Sequence, residues 1–348
     1  MAISAIDSIT PAIEHTKQQL FNPLRIGQWT KLAFVGLLAG ELGSSGFNRS
    51  NFVFPRHPGA SHPTIPGFDF AILGALIAVG ILAGLAIGII LMYVSSVMRF
   101  VLFDSIVLRE CHIRWSWSRR LGAGWRYFVW KLAYLAIGSV ILGVLVGIPA
   151  AFAIASQWYK DPKEHIVPLI LGGVGIALVL FTIFVVTAVV FVLTKDFVVP
   201  QMALEGISAS AGWRRLWPMI EAEMGAYASY IVMKIVLAVV AGALIAIAAL
   251  IVGLLYVVPT AALSLLAILS GKAAGMTWNA HTMALAVAVG CILLGIFLYL
   301  VSLISVPAIV FFPAYSIHFF ADRYPPLKAA LYPALPGSPV SPGTVVSS

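Results

Sequence analysis

The sequence is short of charge. Asp, Glu, Lys and Arg together make up 10% of its 348 residues, against about 25% in a soluble globular protein. That deficit leaves too little polar surface to face water, so lipid must surround most of the chain. Cysteine is also scarce. Cys111 sits in a basic connector and Cys291 inside an apolar run, which excludes a disulfide framework and a Cys-x-x-Cys metal pair. Acids are few, 13 in all, so the material for acid–base catalysis is thin. There is no glycine-rich phosphate loop ending in Lys-Ser/Thr, no paired-His zinc helix and no Gly-x-Ser-x-Gly elbow. No catalytic site and no cofactor or metal site is therefore expected. The N-terminus carries Asp7 and Glu14 and lacks a basic stretch followed by an apolar one. No cleavable signal peptide is therefore expected, and the first apolar segment would act as an uncleaved signal-anchor.

What is abundant is apolar sequence, 61% of the chain. A helical span needs about 20 apolar residues to cross a hydrocarbon core of about 30 Å. The uncharged runs Phe70–Met98, Leu132–Tyr159, Ile166–Thr194, Ile235–Gly271 and Ala273–Ala321 all exceed this. They predict spans near 70–97, 132–155, 167–194, 233–257 and 283–312, the last entered through a loop around Gly275–His281. A further span is expected near 28–44, with Lys31 toward one end and Glu41 toward the other. The expected fold is all-α, a polytopic six-helix transmembrane bundle forming one domain over 1–320. A disordered Pro-rich tail over 321–348 would follow. The segment Ser45–Phe68 is rich in Gly, Pro, Ser and Asn and reads as an irregular loop.

The net charge of +8 does not point to nucleic acid, because the basic residues cluster at the ends of the apolar runs. With six spans, sixteen of the 21 Lys and Arg fall on one side and five on the other. Basic loops favour the cytoplasmic side, so both termini are expected there, in the cell membrane.

Two connectors on the basic side resemble one another. Glu110 matches Glu205, and Arg119-Arg120-Leu121 matches Arg214-Arg215-Leu216, all at an offset of 95. Both carry Trp beside the Arg pair: Trp115, Trp117 and Trp125 in one, Trp213 and Trp217 in the other. This composition suits the headgroup zone, where a ring is half buried and a guanidinium stays wet. Ser118 and Ser208 are placed to start short surface helices. The N-terminus gives a third version: Thr10-Pro11 as a helix start, Ile13, Lys17, Leu20 and Phe21 on an amphipathic segment, then Trp29-Thr30-Lys31-Leu32-Ala33-Phe34, which resembles Trp130-Lys131-Leu132-Ala133-Tyr134. Val198-Val199-Pro200 likewise matches Phe311-Phe312-Pro313. The implied unit, repeated three times, is a surface helix, a span out and a span back.

That plan, the Trp-x-Lys-Leu-Ala-Phe opening at Trp29 and the aromatic-Val-Val-Pro ending at Phe197 resemble the membrane domain attached to some glycerophosphoryl diester phosphodiesterases. The same domain occurs alone in bacterial and archaeal membrane proteins. The resemblance covers about 3–320. It implies a six-helix membrane module and carries no activity across, because the phosphodiesterase barrel is a separate domain for which this chain has no room.

Candidate residues follow from placement. Glu41, an acid inside a span, is the candidate intramembrane polar site; its bland alternative is a solvated place in the outer headgroup zone. Arg114, Trp117, Arg119, Arg120, Trp125, Trp213, Arg214 and Arg215 are candidate contacts to the anionic inner leaflet, each basic group there contributing about 1 kcal/mol. Asp104 is expected to pair with a connector arginine, and Lys195-Asp196 to anchor at the interface. His57 and His62 make a poor metal pair, and His281 and His318 read as interfacial. Gly80, Gly84, Gly88, Gly138, Gly143 and Gly147 are spaced to permit close helix contact. The expected function is a non-enzymatic membrane module that binds membrane lipids or partner proteins, or self-associates. The alternative is a small-solute transporter or channel, with Ser95, Ser96, Thr182, Thr187, Ser302 and Ser305 along a neutral path.

Overall fold

The computed structural model describes residues 4–41, 70–156, 166–273, 275 and 279–332. Among them the fold is all-α, without strands. Its helices are α1 (Ile9–Phe21), α2 (Ile26–Ala39), α3 (Phe70–Val107), α4 (Ile113–Ala155), α5 (Ile166–Leu193), α6 (Val199–Glu205), α7 (Ala209–Ala222), α8 (Met224–Ala273), α9 (Ala280–Ile304), α10 (Val306–Ala321) and α11 (Pro325–Leu331), with a π turn at Thr194–Val198 joining α5 to α6. His57, His62 and the expected loop Ser45–Phe68 lie outside the described residues.

Among the described residues, five stretches are long and apolar enough to cross a membrane: Gly74–Val107, Ile113–Ala155, Ile170–Glu205, Met224–Ala273 and His281–Ala321. Several overrun the bilayer. At 1.5 Å per residue, the 50 residues of α8 reach about 75 Å. The excess serves a second purpose. α3 is exposed from Gly74 to Leu91 and then buried from Ser96 to Ile106, apart from half-buried Arg99. α5 is exposed over most of its length, and burial begins at Leu193 and continues through the π turn into α6. The core thus sits at one end of the bundle. There the ends of α3 and α5 and the starts of α4 and α8 meet α1, α2, α6, α7, α10 and α11. Phe197, Tyr230, Tyr315, Phe319 and Phe320 form its aromatic centre, with Tyr230 and Tyr315 stacked at 5.1 Å between centroids. Both described chain ends lie here, since Tyr315 Oη donates to the Ala5 carbonyl at 3.0 Å.

Several expectations are revised. α2 has 14 residues, about 21 Å, and is not among the five long stretches. It ends at Gly40, whose φ of 80° lets the chain turn off the helix. Its face of Leu32, Ala33, Val35, Gly36 and Ala39 is buried against α3 and α10. The first connector holds no separate surface helix: α4 runs unbroken for 43 residues from its cap at His112, with Ser118 inside it. Only the second connector has a separate helix, α7, and there Ser208 does cap, accepting from Ala211 N at 3.3 Å. The last span is interrupted at Ser305, where Pro307 opens α10. The first part of the expected tail, 322–332, is folded: α11 covers Pro325–Leu331, and Tyr324 and Leu327 are buried in the core; 333–348 lie outside the described residues.

Glycines divide into two groups. The spaced ones at 80, 84, 88, 138, 143 and 147 have no heavy atom within 4 Å of a built Cβ; they support no close contact within this chain. Gly36, Gly124 and Gly212 support the tight ones. A Cβ on Gly124 would meet Val97 Cγ2 at 2.5 Å and its Cα at 3.0 Å, so backbone would have to move. We expect Gly124→Ala to destabilise by about 1–3 kcal/mol, whereas Gly84→Ala leaves stability equal or slightly raised by about 1 kcal/mol of helix propensity. Thermal unfolding of both variants in one detergent checks this.

Candidate functional site

The most unusual chemistry in the core is a chain of charged groups shared by four elements. Glu41, just past the α2 cap, is 3% exposed. Arg99 of α3 donates to its Oε1 at 3.3 Å, and Lys195 of the π turn donates to its Oε2. Arg99 also donates to the Ala39 carbonyl, one of the carbonyls the end of α2 leaves without a helical partner. Asp196, next in sequence, points elsewhere. Consecutive residues on a helix diverge in direction, so Lys195 reaches α2 while Asp196 reaches α8, where Tyr230 Oη donates to it at 2.9 Å and Lys234 pairs with it. Asp196 is 2% exposed. Glu41 is therefore not solvated in a headgroup layer; it is sealed with two cations. Removing water from a lone carboxylate costs several kcal/mol, and close partners are what make such burial tolerable.

A second network ties the first connector down. Asp104 of α3 takes both forks of Arg120, at 2.6 and 2.8 Å, and Arg120 also donates to the Ala203 carbonyl of α6. Asp104 pairs with a connector arginine, as its position implies. The end of α3 is closed by polar side chains from α1: His15 Nε2 meets the Ile106 carbonyl at 3.1 Å, and Gln19 donates to the Ser105 carbonyl at 2.9 Å. This packing splits the residues expected on one amphipathic segment. Ala12, His15, Thr16, Gln19 and Leu20 turn inward, and Ile13 and Phe21 outward. His318 is likewise no interfacial residue. It is 7% exposed, edge-on to His15 at 5.4 Å, and its Nδ1 lies 3.2 Å from Tyr332 Oη.

The candidate lipid contacts separate by direction. Arg114, Arg119, Trp125 and Arg214 are exposed, with the Arg119 guanidinium 5.1 Å from the Trp115 ring centre. Arg215 is exposed but paired with Glu205. Arg120 turns inward to Asp104. Trp117 is half-buried. Trp213 is also half-buried, its Nε1 donating to Thr194 Oγ1 at 3.0 Å. Of the hydroxyls expected along a neutral path, those of Ser96, Thr182, Ser302 and Ser305 each donate to a carbonyl three or four residues earlier.

The cavity touching Glu41, Arg99, Lys195 and Asp196 measures about 30 Å³, a liquid water's share of volume, about 30 Å³. The larger hollows lie elsewhere. One of about 670 Å³ is apolar and bounded by α1, α8 and α10, and one of about 450 Å³ lies between α8 and α9. Among the described residues no group of three or more His, Cys, Asp or Glu is placed to hold a metal ion.

Comparison with known proteins places the chain by sequence alone. The model of a family of unknown function, DUF7544, matches residues 3–330. No link to the glycerophosphoryl diester phosphodiesterase membrane domain emerges from it. No curated protein and no solved structure matches the chain.

His15 gives the site a pH dependence. Burial, reinforced by neighbouring His318 and Arg109, lowers its pKa from 6.5 to about 4. The unfolded chain then binds a proton that the folded one refuses between those values. Stability is full above pH 6.5 and falls as pH drops toward 4, by up to roughly 3 kcal/mol. We expect the unfolding temperature to fall between pH 7 and pH 5, and His15→Gln to flatten that dependence. Thermal scans of both proteins across this range measure it.

Proposed function

The chain belongs to this family of unknown function, DUF7544, and we propose that it is a non-enzymatic integral membrane module. Its basic end would rest on the anionic inner leaflet, while its long apolar helices are offered to lipid or partner helices. The observation that carries this reading is the division of surface. Acids and bases at the core are engaged with one another, and the segments beyond it leave their apolar sides uncovered, as at Leu82, Leu145, Phe184 and Leu255. The water-sized cavity at Glu41 supports a structural role for that residue and disfavours a solute path through it.

Parity supports six passages. Ala5 touches Tyr315, so the described chain begins and finishes at one end of the bundle. Five crossings would leave these residues at opposite ends. α2 itself stays at the core end, with Glu41 beside Arg99 and Lys195, so a first crossing between it and α3 lies outside the described residues; the 16-to-5 distribution of basic residues favours the cytoplasm for the core end. The two connectors bring Arg114, Arg119 and Arg214 to the surface, a pattern suited to acidic headgroups.

Two measurements test the reading. In a Cys111→Ser/Cys291→Ser background, single cysteines at Ser118 and Ser210 should react with an impermeant maleimide only after cells are opened, and one at Asn279 before; the opposite pattern contradicts the orientation. Replacing Arg114, Arg119 and Arg214 by Glu should lower the preference for phosphatidylglycerol over phosphatidylcholine in mixed nanodiscs. Near the surface each reversal exchanges an attraction of about 1 kcal/mol for a repulsion. An unchanged preference would remove these residues from the lipid surface.

A further inference from the structure

Between the α3–α4 turn and the α1–α2 junction lie two adjoining open hollows, of about 380 and 270 Å³. They share Arg25, Gln28 and Glu110 as lining. Arg109 lines the first and Lys31 the second. Three permanent cations thus border a cleft with a single carboxylate among its lining residues. Arg109 is held in place: its backbone has φ 57°, a left-handed conformation uncommon for a side-chain-bearing residue. Its guanidinium donates to Gln18 Oε1 at 2.8 Å, and its carbonyl accepts from Gln28 at 2.9 Å.

The carboxylate is poorly engaged. Glu110 lies 4.0 Å from Arg25 and 3.8 Å from His112, and its side chain is 58% exposed. At the matching position of the second connector the outcome is different. Glu205 pairs closely with Arg215 and accepts from Tyr324 Oη at 2.5 Å, with 29% of its side chain exposed. One connector ties its acid closely to an arginine and a tyrosine. The other leaves a wide, wet ion pair, of a kind that contributes little, inside a cationic cleft. Such an acid is readily displaced by an anion that offers more oxygens.

We infer that this cleft binds a phosphate group, with Arg25, Lys31 and Arg109 as its cationic contacts and Glu110 as an internal competitor. Guanidinium forks match phosphate oxygens in pairs, and the amides of Gln18, Asn22 and Gln28 line the same walls. The phosphate is either that of an anionic phospholipid headgroup or a free ion. The inference rests on the proposed membrane reading only for the first source.

The test uses the full-length protein with two probes: inorganic phosphate titrated onto protein in phosphatidylcholine nanodiscs, and lipid retained from mixed phosphatidylglycerol/phosphatidylcholine nanodiscs, read by native mass spectrometry. Arg25→Gln with Lys31→Gln should weaken the responding probe roughly tenfold. Glu110→Gln should strengthen it severalfold. Glu14→Gln, an equal change of net charge at an exposed position of α1, should leave it unchanged. A response to phosphate alone identifies the free ion; a response confined to phosphatidylglycerol identifies the headgroup. If neither probe responds to the Arg25/Lys31 and Glu110 substitutions, or if Glu14→Gln acts as Glu110→Gln does, the cleft is not a phosphate site. A lipid preference that survives in that case keeps the membrane reading standing; loss of any anionic-lipid preference in the wild type would bring down that reading separately.

Discussion

Glu41 can be buried as a charge only because Arg99 and Lys195 are buried with it. The three residues stand on three different elements, so the requirement to pair them fixes where α2, α3 and the π turn lie. Asp196 extends the constraint to α8 through Lys234 and Tyr230, and Asp104 extends it to α4 and α6 through Arg120. Charge pairing of this kind specifies register more surely than it adds net stability, because desolvation offsets much of the attraction. Once these partners are in place, the aromatic centre around Phe197 and Tyr230 packs between them.

The rest of the molecule follows from where that constraint ends. In lipid the hydrophobic effect gives helices no reason to adhere to one another. Beyond Arg99, Lys131, Lys195 and Lys234 the helices are apolar, and their contacts thin to local ones such as Tyr134 on Phe191 and Tyr256 on Phe297. The spaced glycines of α3 and α4 open onto space and not onto neighbouring helices. Polar contacts at one end therefore organise the bundle, and the apolar ends are left to the membrane.

The membrane class and the five long spans were legible because apolar run length is a local property, readable at Phe70–Met98 without reference to any other residue. Ser208 as a cap and Asp104 as an arginine partner were legible for the same local reason. The core was not. Glu41 and Lys195 are 154 positions apart, and nothing near either names the other. The inward face of α1 was not legible, because its polar residues serve the unpaired carbonyls of α3 and hydrophobic periodicity assigns polar residues outward. The i, i+4 placement of His15 and Gln19 was the available signal. The continuity of α4 escaped for a different reason: amphipathic and apolar segments both favour helix, and no Pro or Gly cap separates them near Lys131.

The central claim is that the Glu41 pair organises the fold. A double-mutant cycle on Glu41→Gln and Lys195→Met, read by thermal and denaturant unfolding in detergent, addresses it most directly. Each single change should destabilise strongly, and the double variant should recover part of the loss, giving a coupling above about 1.5 kcal/mol. Additivity within about 0.5 kcal/mol would show that the two residues do not depend on one another, and would contradict the claim.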